Sequence, residues 1–220
     1  KVEIAGSLRR KKETIGDIDI LATSKNPEKV MDFFTSMENV KDVIAKGSTK
    51  SNVRLKEGIE ADLRVLDEKS YGAALLYFTG NIQHNITLRK IAIKKNMKLS
   101  EYGLFDKKTN KMIAGKTEQE CYKKLGLMYI EPEIREDEGE IELAEKNKLP
   151  KLIGYNDLKG DLQMHTKWSD GNNTILEMAN AAKNLGFEYI CMTDHTGNLK
   201  IANALDEKRI KKQRKEIDKI

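Results

Sequence analysis

An α+β domain followed by the opening βαβ unit of a second, parallel-stranded domain is the architecture this 220-residue sequence predicts. Three observations carry it. Short runs with apolar residues at every second position, broken by one helical pattern, fill the chain up to residue 67. Two helical stretches then follow, 69–79 and 82–96, with Gly80 between them. From residue 159 the order is strand, helix, strand, with Gly186 closing the helix.

Residues 2–5 read as a strand running into Gly6-Ser7, and residues 18–23, IDILAT, alternate as a second strand. Asn26-Pro27-Glu28 opens a helix through Met37, with Pro27 in the first turn, where its missing N–H is not needed. Residues 40–45 and 51–55 are further strands. Residues 59–66 make a strong one: Ile59, Ala61, Leu63 and Val65 face one side, and Glu60, Asp62 and Arg64 the other. Residues 99–115 suggest a small hairpin and 117–125 a short helix. Residues 131–158 are acidic, poor in aromatics and contain Pro132 and Pro150, which reads as a linker. DLQMHT, TILEMANAAKNLG and YICMTDH are the strand, helix and strand of the second domain.

Hydrophobic residues make up 39% and charged residues 34%, the balance of a globular chain with a charged surface. No run approaches the length of a membrane span, and no apolar signal segment opens the chain. Cys121 and Cys191 are too few for a disulfide framework, so a reducing, cytoplasmic compartment is expected. The net charge of +5 is unevenly spread. Residues 81–100 hold Arg89, Lys90, Lys94, Lys95 and Lys98 and no acid, residues 131–148 hold eight acids against three bases, and the end, KRIKKQRKEIDKI, is basic again. A one-sign helix face fits a polyanion partner, but on charge alone a solvated lysine-rich surface is the preferred reading. Lys1 opens inside an apolar run and Ile220 closes inside a helical pattern, so a piece of a longer protein is expected.

Residues 6–19 read GSLRRKKETIGDID. A Gly-Ser turn after a strand can offer backbone N–H groups and a hydroxyl to phosphate oxygens, and Arg9 and Arg10 follow at once. Gly16 would allow a close approach, and Asp17-Ile18-Asp19 begins the next strand. Two aspartates two apart on a strand share a face, their Cα atoms roughly 6–7 Å apart, and can share hard cations. Asp62, on the polar face of an otherwise apolar strand, is the best third carboxylate, with Arg64 beside it to orient the cage. Three carboxylates suit a pair of metals about 3.5–4 Å apart, the arrangement that activates a hydroxyl and neutralises a departing pyrophosphate.

These residues also carry a resemblance. GSLRR, GDIDIL, ADLRV, YFTGNIQHN, LR and SEYGLF, in that order between residues 4 and 136, resemble the palm and thumb of the family X DNA polymerases. The resemblance implies a nucleotidyltransferase palm over 1–67, a small α/β thumb over 68–130, and Asp17, Asp19 and Asp62 as Mg2+ (or Mn2+) ligands and catalytic residues. It implies that Ser7, Arg10 and Gly16 contact the triphosphate and that Tyr77, Phe78 and Gly80 line the sugar. Asn85 would reach the base edge, and Arg89 would lie near the template with Lys90 and Lys94 on DNA.

The three histidines include two in motif-like settings, His165 with Asp170 in DLQMHTKWSDG and His195 beside Asp194 in TDHTG. Each sits at the C-terminal end of a predicted parallel strand, where ligands gather in α/β barrels. His84 shows no such setting and is expected to be structural. Residues 159–198, within a domain expected over 159–220, resemble the start of a PHP domain, a metal-dependent phosphoesterase module. The resemblance implies Zn2+ or Mn2+ at His165, Asp170 and His195. Gln163 takes the first position of that family's His-x-His, and the remaining ligands are expected further along a longer chain, so metal binding here is expected to be poor.

The expected activity is templated, two-metal nucleotidyl transfer from dNTP to a primer 3′-hydroxyl on gapped or primer–template DNA, in repair gap filling, by a monomer with no membrane partner. The Gly-Ser/Asp-x-Asp core alone leaves a template-independent nucleotidyltransferase open. A PHP phosphoesterase or exonuclease with the polymerase part as a DNA-docking module is the other alternative, and the intact Asp17, Asp19 and Asp62 argue against it. YFTG, Asn85 and Arg89 favour the templated enzyme.

Overall fold

A computed structural model describes residues 1–154 and 156–220, in two units, Lys1–Pro150 and Lys151–Ile220. In the first unit β1 (Val2–Ile4) leads through one helical turn, α1 (Gly6–Arg9), to β2 (Asp17–Thr23). After α2 (Pro27–Thr35) come β3 (Val40–Lys46), β4 (Lys50–Leu55) and β5 (Glu60–Leu66). The sheet order is β1-β2-β5-β4-β3, with β2 and β5 parallel and the other pairs antiparallel. Alternation sorts the side chains as expected. Ala61, Leu63 and Val65 join Ala22 and Val53 under Met31 and Phe34 of α2. The Asn26 side chain caps α2, accepting from the Lys29 N–H at 3.2 Å. Asp19, Leu21, Asp62 and Arg64 fall on the other face.

That second face is crossed by α3 (Tyr71–Thr79), whose apolar residues run all round it because both its sides are covered. Tyr71, Ala74 and Leu75 pack on Ala5 and Leu21 of the sheet. Ala73 and Leu76 enter a separate core built with α4 (Ile82–Lys94), β6 (Met97–Ser100), β7 (Gly103–Asp106), β8 (Met112–Ala114) and α5 (Glu118–Leu125). Gly72 makes this crossing possible, since a Cβ there would stand 2.2 Å from the Thr117 backbone.

Two expectations change here. Residues 99–115 form part of a three-stranded antiparallel meander rather than a hairpin. It starts at Met97 because Asn96, at φ 55°, ends α4 in the left-handed region. The acidic stretch 131–158 is also not all linker. Arg135 is 0% exposed, and α6 (Glu140–Glu145) sends Ile141 and Ala144 into the second core. Its acids conceal this because several act as hydrogen-bond acceptors. Glu140 takes the backbone N–H groups of Asp137 and Glu138 at 2.9 and 2.8 Å, and pairs with buried His84 at 2.7 Å.

The second unit has the expected βαβ order: β9 (Gly160–Met164), α7 (Ile175–Asn184) and β10 (Tyr189–Met192), with the strands parallel. Thr174 and Glu177 form a reciprocal capping box on α7, and Gly186, at φ 80°, follows its end. Helix α8 (Glu207–Ile217) is held by Glu216, which accepts from Trp168 Nε1 at 3.0 Å. No helix among the described residues is long and apolar enough to cross a membrane.

Candidate functional site

Asp19 on β2 stands directly opposite Asp62 on β5, in parallel register, with Asp17 two residues before Asp19 on the same face. One carboxylate oxygen from each of the three lies within 4.8 Å of the others. The cluster is electrostatically frustrated. Burial pushes the Asp19 carboxyl above its ordinary value, and the negative charges of Asp17 and Asp62 push it further. Asp62 Oδ1 is sealed from solvent and has no hydrogen-bond partner among the described residues; Lys50 Nζ stands 3.6 Å from it. Three hard oxygen donors, mutually repelling and partly unsatisfied, suit divalent cations.

A cleft of about 610 Å³ opens beside them. One wall is Gly6, Ser7 and Arg10, with Asp17 and Asp19 at the floor. The opposite wall runs from Tyr77 through Gly80 and Asn81 to Asn85 and Arg89. Asp62 stands behind this lining. Arg64 stacks its guanidinium over the Phe78 ring, 4.6 Å from the centroid, and its positive charge opposes the upward push on the Asp19 carboxyl. Tyr77 and Phe78 meet edge to face at 5.1 Å. Asn85 donates to the Tyr77 carbonyl at 2.7 Å, while its Oδ1 is buried without a partner among the described residues. Lys90 and Lys94 are exposed on α4 outside the cleft lining.

The chain's own close approach to the carboxylates is at Gly6, while Gly16 stands open. A Cβ on Gly16 would meet nothing within 4 Å, and Gly16 does not line the cleft. A Cβ on Gly6, at φ +60°, would stand 2.0 Å from Asp19 Oδ2. The Gly-Ser pair is thus where the backbone comes against the carboxylates.

In the second unit His165 follows β9 and His195 follows β10. Their rings lie 4.5 Å apart, and Asp170 bridges them, 3.4 Å from His165 Nδ1 and 3.5 Å from His195 Nε2. Two imidazoles and a carboxylate within 4.8 Å of one another are a donor set for a first-row transition metal. The Gln163 amide lies 2.9 Å from His165 Nε2. Asp194 is no part of this cluster. It accepts from the Thr166 N–H and hydroxyl and the Ser169 hydroxyl, each at 2.6 Å, and from the Gln213 amide at 2.5 Å. Burial raises its carboxyl, but these bonds outweigh that and hold it below the usual range.

Residues 74–136 match the model of the DNA polymerase beta thumb, and residues 161–217 that of the PHP domain. The DNA polymerase/3′-5′ exonuclease PolX of Bacillus subtilis is 40% identical over 99% of this chain, which spans 38% of that protein's length. The repair DNA polymerase X of African swine fever virus is 33% identical over 59% of this chain and 78% of its own. The chain belongs to the family X DNA polymerases. The fold agrees: the Leishmania infantum polymerase beta in a ternary primer–template complex superposes with a TM-score of 0.54 at 24% identity, over 62% of this chain and 67% of that one.

What the sequence did not disclose in this family X chain is the clamp behind the cleft. Arg9 donates to both Glu118 oxygens, at 2.9 and 2.6 Å, and to the Thr79 hydroxyl at 2.6 Å. Arg135 donates to the same Glu118 at 2.6 Å and to the Ile130 carbonyl at 2.9 Å. Burial raises the Glu118 carboxyl, but the two guanidiniums outweigh it and hold it below its ordinary value. The chain thereby ties its first helical turn to the start of α5. The only hint in sequence was that Arg9 is adjacent to Arg10.

Proposed function

We propose that residues 1–150 carry a templated DNA polymerase centre that joins a dNTP to a primer 3′-hydroxyl, in gap filling during repair. The observation that supports it most is the convergence of Asp17, Asp19 and Asp62, with Asp17 and Asp19 lining a cleft between Arg10 on one side and Tyr77 and Phe78 on the other and Asp62 just behind them. In this reading 1–67 is the palm and the thumb extends through the folded acidic stretch to 150. Asp17, Asp19 and Asp62 hold Mg2+ (or Mn2+), which when bound supplies positive charge at the hydroxyl and the departing pyrophosphate. Ser7 and Arg10 take the triphosphate; Tyr77, Phe78 and Gly80 take the sugar. The free Oδ1 of Asn85 faces the base edge, and Arg89, with Lys90 and Lys94 along α4, takes DNA phosphates near the template. The enzyme acts as a monomer, and its free thiols Cys121 and Cys191 fit a reducing cytoplasm.

Primer extension on a one-nucleotide gap tests this. Incorporation should follow the template base, and Asp62→Ala should abolish it while leaving the circular dichroism spectrum unchanged. Retained incorporation would remove Asp62 from the cage, and untemplated addition would favour a terminal-transferase reading.

A second observation, the His165–Asp170–His195 cluster, supports part of a PHP phosphoesterase centre taking Zn2+ or Mn2+. With Gln163 in place of a stronger imidazole ligand, metal affinity here should be low. Stoichiometric Zn2+ retained by the chain through dialysis would refute that weakness.

A further inference from the structure

Glu136 lies in the stretch whose composition reads as linker, yet it joins the two walls of the cleft. Its Oε1 accepts from Arg10 Nε at 3.2 Å and stands 3.3 Å from Lys12 Nζ. Its Oε2 accepts from Asn81 Nδ2 at 2.9 Å. Asn81 in turn caps α4: its Oδ1 accepts from the His84 N–H at 2.8 Å, and its own N–H donates to the Arg135 carbonyl at 3.1 Å. Arg10 Nη1 donates to the Thr79 carbonyl. Arg10 and Asn81 line the cleft, and Glu136 stands behind them.

We propose that Glu136 is a positioning residue for the nucleoside triphosphate, fixing the Arg10 guanidinium by its Nε edge and binding it to the cap of the helix that carries Asn85 and Arg89. This rests on the nucleotidyl-transfer reading above. The guanidinium is held at two points, Nε by a carboxylate and Nη1 by a carbonyl. Its remaining donors are therefore oriented before an anion arrives, and less conformational freedom is lost on binding. The charge sum keeps the wall attractive to a polyanion, because Arg10 and Lys12 bring two positive charges against the single carboxylate. Burial raises the Glu136 carboxyl, but the bonds from Asn81 and Lys12 and the charge of Arg10 outweigh it, so the group is held ionised. The same carboxylate also holds the two walls at a fixed separation, which links triphosphate binding to the placement of Asn85.

The test compares the chain with Glu136→Ala and Glu136→Gln. Equilibrium binding of dCTP and of dCMP, each with Mg2+, is measured alongside one-nucleotide-gap extension. Glu136→Ala should weaken dCTP about tenfold, the worth of one charge-assisted hydrogen bond, with dCMP little changed. KM for dCTP should rise more than kcat falls, and Glu136→Gln, which still accepts hydrogen bonds, should recover part of the loss. Wild-type affinity for dCTP in Glu136→Ala would overturn the inference. So would equal losses for dCTP and dCMP accompanied by a lowered melting temperature, since that pattern marks a merely structural role. If the wild-type chain bound no dCTP, the polymerase reading itself would fall and this inference with it.

Discussion

Gly6 and Asp19 show how much of a site can hang on one missing methyl group. The two aspartates of Asp-x-Asp were legible from their spacing on a strand, and Asp62 from its polar strand face together with the family resemblance. Gly6 as the point of contact was not, since it depends on how a turn folds back over a strand 13 residues later. Gly6→Ala would have to displace the Asp19 carboxylate from a position 2.0 Å away. Incorporation should fall about a hundredfold, a displacement effect on the reacting groups, while stability falls by roughly 1 kcal/mol for the positive φ. Comparing gap-filling rates with urea midpoints separates the two.

His84 makes a second prediction at this scale. Glu140 can only accept, so His84 Nδ1 carries the proton, and its Nε2 accepts from the Tyr122 hydroxyl at 2.8 Å. Burial holds His84 below its ordinary 6.5, despite the Glu140 bond. The unfolded chain therefore binds the extra proton more readily, and stability declines as pH falls below about 6.5. The carboxyls of Glu118 and Glu140 are held below their ordinary 4.5, so their contributions are present above that pH and lost beneath it. Urea midpoints should be flat above pH 7, lower at pH 5.5 and lower again at pH 4. His84→Gln should flatten the first step and leave the second.

Helix α3 and the segment after α5 mark the limits of pattern reading at the scale of elements. The pattern gave α3 correctly, but its all-round apolar surface could not say that it serves two cores. Residues 131–150 were misread because acidic composition normally signals solvated chain; here Glu136 and Glu140 spend their charge on Arg10, Lys12 and His84. The Arg9–Glu118–Arg135 clamp fixes this segment. Arg135→Ala leaves the Glu118 carboxylate, 4% exposed, with one partner fewer and should lower stability by about 3–5 kcal/mol. Glu118→Gln should be comparably harmful because it leaves two guanidiniums without an anion. A double-mutant cycle by chemical denaturation should show the two losses to be strongly non-additive.

For the whole molecule, the architecture was the most legible part, because apolar periodicity and motif order agree on it. The division at Pro150 was not, as the expected thumb ended twenty residues earlier. Residues 1–150 expressed alone should melt cooperatively near the temperature of their transition in the full chain, since the three cores of that unit close within it. Scanning calorimetry of the two would show it, and a broad, non-cooperative trace for 1–150 would contradict the division. Arg89→Ala should leave Mn2+ binding intact and lower gap-filling efficiency, with a shallower salt dependence as one phosphate contact is lost.

The double burial of α3 has a consequence for protein engineering. A chimera that takes its palm from one relative and its thumb from another has no neutral junction near this helix. Tyr71, Ala74 and Leu75 would have to match one donor while Ala73 and Leu76 matched the other. Recombined libraries should therefore recover active hybrids mainly when α3 travels with both its packing partners, which makes the helix the unit of inheritance and the domain boundary a convention.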